Sequence, residues 1–539
     1  MIDNNKNGMP EEENDAPLNV DDIEFLNTRP EGSDGKKKNM AARRKTAIMV
    51  SAVLFVILLI VYFAVVAPML RKEETPPPEL LEGEDVGTDN RILLFPSVDK
   101  SDIRMIEVHN SSGDFSFTYS AESDDFYLTD NQIFPLEKTV MSNFVVSARH
   151  TLSMERVTKD ATEKELGDYG LGKNDDPAWY VLTDNKNNRH KVYIGKEIVT
   201  GTGYYCRYEG RNAVYILDTS VAAFTRPVEA FISPIISYPA DSKDYYYNIL
   251  QCGVVRDGEV LFNIRHLDQA EKADSASLTE YEMVEPAGYV PSSTNYPHIL
   301  QEFCNFVGSS TVYAGLKDRG ITDEILDKYG VSEEKAKYTL FYNYKVEDSV
   351  VPSIVYFSEK DENGFLYAYS VLFNTIIYVS SEKTYFLDWD FIDYVDRKLF
   401  QRNINDIAEV SVESEEESET FFLKGEGEDI KISQKSDGRE YGGSEVKSFR
   451  QYFRKLLTIS IEDYAENTET ENCMLTLRIK TDAGKTFEYK FYPYSTRRCF
   501  FTIDGEGEFY VLRSVVEKLI EDIDILHSGG MVDYDDIGI

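Results

Sequence analysis

The chain has 539 residues, more than one hydrophobic core usually organises, so several domains are expected. A formal net charge of −38 argues against a nucleic-acid binder, which needs clustered Lys and Arg against phosphate, and against adsorption to anionic lipid. Tyr (36) and Phe (30) far outnumber Trp (2) within a 42% hydrophobic composition, which supplies real cores and leans toward sheet.

Residues 1–45 read as a disordered acidic tail with a basic end, Lys36, Lys37, Lys38, Arg43, Arg44 and Lys45. From Thr46 to Leu70 no residue is charged, and the stretch is apolar on every side. At ~1.5 Å rise per residue that suffices for a ~30 Å hydrocarbon slab, so 46–70 is expected to be a transmembrane helix. Only Arg71 and Lys72 follow it, then Glu73 and Glu74. The positive-inside rule places the N-terminus in the cytoplasm and the bulk of the chain outside. A cleaved signal peptide fits less well, because its leading region is not 45 residues long and Pro68 follows the weak Val65-x-Ala67 pattern. Pro76-Pro77-Pro78 and the acidic run after it predict an extended stalk over 71–91.

Beyond the stalk the sequence repeats. Asp102–Val108 and Asp406–Val412 share the form D-I-x-x-[IV]-x-V, with the alternation of a half-buried strand, and a middle copy starts near Tyr245. A helix follows in each. Leu136, Val140, Phe144, Ala148 and Leu152 form the first stripe, with Pro135 in the first turn. The second opens at Pro297 and carries Ile299, Leu300, Phe303, Cys304 and Val307. The third starts at Ser444 as N-cap, with Val446, Phe449, Phe453, Leu456 and Leu457. Glu165–Leu171 and Glu324–Val331 both predict a short helix closed by Gly170 or Gly330 in the left-handed region; the third copy lacks this Tyr-Gly turn. Strands and hairpins close each copy: Trp179–Leu182 to Ala213–Leu217, Tyr338–Tyr342 to Ile376–Val379, and Met474–Ile479 to Glu508–Leu512. The expected fold class is α+β, one transmembrane helix followed by three units of antiparallel sheet with a packed helix. Their expected bounds are 92–232, 233–397 and 398–527, with a flexible tail over 528–539. A polar insertion near His266–Thr279 reads as a loop.

The anchor, the opening strand and helix, Glu165-Leu166-x-x-Tyr169-Gly170-Leu171 and Val192-Tyr193-Ile194-Gly195 together resemble the domain-of-unknown-function family numbered 4340. The resemblance covers about residues 92–224 well and the second copy less well; the third matches in layout and first strand. It implies a bacterial membrane-anchored protein with its units outside the cell. Family members often accompany ABC transporter components related to those named for gliding motility, so a permease or its ATPase is the implied partner. The family has no established activity.

No residues are nominated as catalytic, cofactor-binding or metal-ligating, and no cofactor is expected. The chain has no phosphate-binding glycine loop, no G-x-S-x-G and no H-E-x-x-H. The histidines (109, 150, 190, 266, 298 and 527) are not at ligand spacing from one another. Thr200–Gly203 and Gly505–Gly507 read as hairpin turns, Glu413–Glu419 as a solvated hairpin edge, and Asp533–Asp536 as a frayed end. Asp361–Gly364 lacks the spaced ligands of a calcium loop. Tyr204-Tyr205 and Tyr245–Tyr247 read as sheet-covering aromatics, with a glycan groove as the alternative. The five cysteines read as buried thiols, with a Cys473–Cys499 bridge left open. The functional expectation is a non-enzymatic accessory or scaffold subunit. The alternative is a sensory ectodomain that binds glycan, peptide or calcium.

Overall fold

The computed structural model describes residues 49, 53–62, 77–237, 248–346, 348–466 and 468–536. The chain divides into two compact units, Met1–Pro77 and Pro78–Ile539. In the first, residues 53–61 are helical and their apolar side chains are exposed. No helix among the described residues is long and apolar enough to cross a membrane. The expected tail (1–45), the rest of the expected span (46–70) and residues 71–76 of the expected stalk lie outside the described residues.

The second unit is α+β and holds three eight-stranded antiparallel sheets. A short hairpin, β1 (Asp85–Val86) and β2 (Ile92–Leu93), comes before them. The first sheet comprises β3 (Ile103–Asn110), β4 (Gly113–Ser120), β5 (Asp125–Leu128), β6 (Ser153–Thr158), β7 (Ala178–Asp184), β8 (Arg189–Glu197), β9 (Gly203–Tyr208) and β10 (Val214–Asp218). The second comprises β11 (Ile249–Arg256), β12 (Glu259–His266), β13 (Tyr281–Glu285), β14 (Ser310–Ala314), β15 (Tyr338–Val346), β16 (Ser349–Phe357), β17 (Phe365–Ser370) and β18 (Thr375–Ser380). The third comprises β19 (Ile407–Glu413), β20 (Ser418–Lys424), β21 (Lys431–Gln434), β22 (Asp463–Tyr464), β23 (Leu475–Thr481), β24 (Thr486–Pro493), β25 (Arg498–Ile503) and β26 (Phe509–Leu512). The helices are α1 (Lys138–Arg149), α2 (Glu163–Asp168), α3 (Gln269–Asp274), α4 (Asn295–Cys304), α5 (Asp323–Tyr329), α6 (Phe391–Tyr394), α7 (Gly443–Leu456) and α8 (Arg513–His527).

All three sheets have one strand order: β5-β4-β3-β7-β8-β9-β10-β6, β13-β12-β11-β15-β16-β17-β18-β14 and β21-β20-β19-β23-β24-β25-β26-β22. Three strands meander, a helix follows, the fourth strand joins the far edge, and four strands return to it. A shared crossover of this kind is stronger support for repetition than the short sequence matches, because alternation alone does not set strand order.

The helix starts differ from expectation. Pro135 precedes α1; Leu136 bridges Ile232, and Glu137 caps the helix by accepting the Thr139 N–H (3.2 Å). Ser444 lies inside α7, whose start is set by the Glu445 carboxylate reaching back to the Gly442 N–H (2.8 Å). The Tyr-Gly turns form as expected: Gly170 and Gly330 have φ of 71° and 67°. The N–H groups of Leu171 and Val331 then return to the carbonyls of Leu166 and Leu326, which buries both aliphatic side chains.

Residues 79–91 do not extend away as a stalk. Glu84 is buried, accepts the Tyr215 hydroxyl (2.6 Å) and pairs with Arg156 (2.7 Å) against the first sheet. The expected loop at His266–Thr279 contains α3, closed by a reciprocal cap between Asp268 and Glu271. That helix joins the second sheet to the third. The Asp274 carbonyl accepts the Thr481 hydroxyl (2.8 Å), and the Ser275 carbonyl accepts the Arg402 guanidinium (3.0 Å).

The first sheet's core centres on Phe117, Phe144, Tyr180, Phe224 and Phe231 and touches the second sheet through Ala314 and Phe373. The second and third sheets share one continuous core. Tyr289 packs edge-on against Phe509 (5.4 Å) and Phe400 against Tyr489 (4.4 Å) across the seam. Burying each such ring contributes roughly 1.5–3 kcal/mol.

Candidate functional site

Each sheet buries one face under its helices and turns the other outward. Strand pairing fixes which side chains line up on the outer face. In the first sheet Asp114, His109, Trp179, Tyr193 and Arg207 form one row across β4, β3, β7, β8 and β9. His109 stacks on Trp179 (5.2 Å, 12°), and its Nδ1 lies 2.5 Å from Asp114 Oδ1. The Lys191 ammonium sits 4.0 Å from the Trp179 ring centre, and Arg207 lies 4.9 Å over Tyr193. These are half-exposed cation–π contacts, each of order 0.5–1 kcal/mol.

The corresponding row in the second sheet is Val255, Thr339, Tyr356 and Tyr369. Tyr356 and Tyr369 are stacked (6.5 Å, 11°). Beside them Phe365, Tyr367 and Tyr378 pack together, with Tyr329 from α5 on Tyr367 (4.9 Å). All six rings are partly exposed. The Tyr378 hydroxyl donates to Asp361 Oδ2 (2.5 Å), which pushes the phenol up to about 12 and holds the Asp361 carboxyl below its ordinary range. The other Asp361 oxygen accepts the N–H groups of Asn363 and Phe365, so this turn is closed on itself.

In the third sheet the row reads Glu413, Thr476, Lys490 and Thr502. Its neighbours are charged and paired: Arg478 reaches Glu488 (2.7 Å) and Glu413 (3.0 Å), and Lys490 reaches Glu488 (2.6 Å). Lys490 and then Arg478 hold the Glu488 carboxyl below the usual glutamate range.

A cleft of about 740 Å³ opens where the first and second sheets meet. Glu229 is buried on one side, where it accepts the Ala314 N–H (3.3 Å) and pairs with Arg319, which lies 5.0 Å over the Tyr313 ring. Gly308 and Thr311 complete the joint by donating to the carbonyls of Pro234 and Ile232.

Other groups singled out in the sequence are placed as follows. All five cysteines are free thiols, and Cys473 and Cys499 are not joined. Burial pushes Cys304 and Cys499 up to about 12, and Cys206 and Cys252 upward too, so these thiols resist ionisation. Tyr204 and Tyr205 lie in β9, with Tyr205 on Tyr169 (4.6 Å); Tyr245–Tyr247 lie outside the described residues. Gly201 and Gly505 turn hairpins with positive φ. The end of the chain is docked as far as described: Val532 is buried, and Asp536 pairs with Lys518 (2.9 Å). Glu419 is not a solvated edge, since its side chain is only 1% exposed. Spacing gave no sign of the outer rows or of the cleft, because both depend on register between distant strands. The chain matches no family model, no curated protein and no solved structure.

Proposed function

We propose that this chain is a non-enzymatic, single-pass envelope protein whose outer part serves as an accessory or scaffold subunit of an ABC-transporter-type membrane complex. The observation that carries the reading is the aromatic outer face of the second sheet, six half-exposed rings on a framework braced by its neighbours. Aromatic side chains on a rigid sheet give large contact area at low entropic cost, which suits a protein interface. The anchor and its orientation rest on the uncharged stretch Thr46–Leu70 and the basic residues before it. The class of partner rests on the family resemblance.

The test is in-cell crosslinking of the full-length protein, gentle detergent purification and mass spectrometry. Enrichment of a permease or its ATPase supports the reading; recovery of the chain alone rejects it. A second reading, a glycan-binding ectodomain, is favoured by one observation, the Trp179–Tyr193 pair flanked by Lys191 and Arg207. Thermal melting of the full chain with cell-wall glycan fragments tests it, and an unchanged midpoint discards it.

A further inference from the structure

The C-terminal helix and an acidic hairpin meet at a second place, separate from the sheet faces. Asp524 and His527 stand three residues apart in the last turn of α8, on one side of the helix. Glu417 comes from the turn joining β19 and β20, over a hundred residues earlier. One ligand atom from each of these three lies within 4.8 Å of the others. Glu417 Oε2 is 3.3 Å from His527 Nδ1.

The imidazole is held from behind. His527 Nε2 is 3.1 Å from Glu419 Oε2, and the Glu419 side chain is 1% exposed. Glu419 Oε1 accepts the N–H groups of Thr420 (2.7 Å), Lys435 (3.0 Å) and Ser436 (3.2 Å), and Oε2 accepts the Ser436 hydroxyl. Every one of these is a donor to the carboxylate, so its bond with the imidazole uses Nε2–H, and Nδ1 lies on the side of Glu417. A buried carboxylate that fixes the far side of a histidine is the arrangement that orients metal-ligating imidazoles.

Both supporting elements are fixed. The Arg439 guanidinium donates to the carbonyls of Leu526 and His527 (3.1 Å each), and the Tyr441 hydroxyl to that of Leu526 (3.2 Å). The Ser414 N–H donates to the Glu417 carbonyl (2.7 Å), while the Glu417 N–H returns to the Ser414 hydroxyl (3.0 Å).

We infer that Glu417, Asp524 and His527 form a binding site for a divalent transition-metal ion, zinc foremost, with Glu419 as the positioning residue behind His527. One nitrogen and two carboxylates suit zinc, whereas calcium and magnesium take all-oxygen sets. Three protein ligands leave further coordination positions to water. Metal here ties α8 to the β19–β20 hairpin, a link the sequence hides because it needs one histidine, its neighbouring aspartate and one distant glutamate rather than a spaced pair of histidines. The proposal is independent of the partner reading above.

The test uses the full-length chain, purified in detergent without a polyhistidine tag and stripped with a chelator. It is dialysed against zinc chloride at micromolar free zinc, bound metal is measured by elemental analysis, and calorimetric titration gives affinity. One zinc per chain is expected, undisturbed by equal calcium or magnesium. His527→Ala and Asp524→Asn are expected to abolish stoichiometric binding, and Glu419→Gln to weaken it about 10- to 100-fold. No zinc on the wild-type chain, or binding unchanged in Asp524→Asn, overturns the proposal. Asp524 is exposed and the Asn variant isosteric, so it decides the question even where His527→Ala fails to fold.

Discussion

The second and third sheets share a strand order and a core, yet their outer faces are built from different chemistry. The second presents partly exposed rings with few charges to occupy them. The third presents arginine, lysine and glutamate that already occupy one another, beside rings, Tyr492, Phe500 and Tyr510, that are already covered. A face whose charges are mutually paired has little to offer a partner, since binding would first separate them. A face of half-covered rings retains apolar area that a partner can still remove from water. One framework therefore carries two surfaces of unequal readiness, and the difference lies in single side chains at matched positions, Tyr356 in one and Lys490 in the other.

Exchanging those side chains has the largest expected effect. Tyr356→Lys with Tyr369→Thr gives the second sheet the third sheet's side chains at these two row positions, and is expected to cut recovery of crosslinked membrane components about tenfold. Lys490→Tyr is expected to leave recovery unchanged. Quantitative mass spectrometry after crosslinking reads both. Equal recovery from all variants would remove the second sheet from the interface.

Stability sharpens the contrast next. The directly opposed pair Tyr356–Tyr369 is expected to show a coupling of about 0.5–1 kcal/mol in a double-mutant cycle to alanine, insensitive to salt. Arg478 and Glu488 are partly exposed, so the matching cycle should give about 0.2–1 kcal/mol at low ionic strength and shrink as salt is added. Denaturant unfolding at two salt concentrations separates them, and a salt-dependent tyrosine coupling would contradict the assignment.

The smallest effect is local. Asp361 beside the Tyr378 hydroxyl disfavours the phenolate and holds that group at about 12. Asp361→Asn removes the negative charge, so the phenol is expected to titrate lower, nearer its ordinary value. Ultraviolet difference titration of the folded chain measures this; an unchanged titration would mean that the pair does not form in solution.

The strands were the most readable part of the fold, because alternation is local and every unit repeats it. The Tyr-Gly turns were equally readable, since Gly170 and Gly330 mark a left-handed residue whatever lies around them. The fourth strands β6, β14 and β22 were not, being short edge pieces whose partners follow far along the chain. α3 was missed although Asp268 and Glu271 spell a helix cap, because its six residues, four polar and two alanine, carry no apolar stripe. α8 was missed despite Val516, Leu519, Ile523 and Leu526 at helical spacing, since no such helix closes the earlier copies among the described residues. Glu419 sat in a run of acids that read as solvated; only the fold shows it turned inward against Ser436 and His527. The outer rows and the metal cluster depend on contacts across sheets, which periodicity cannot supply.

The seam joining the second and third sheets sets how the outer part comes undone. With one core between them, neither sheet can melt while the other keeps its interior dry, so the pair forms a single cooperative block. The first sheet, with its own core, can open alone. Three copies of one architecture thus behave as two thermal bodies, and the six-residue helix at Gln269–Asp274 is one of the fastenings that hold the larger one together.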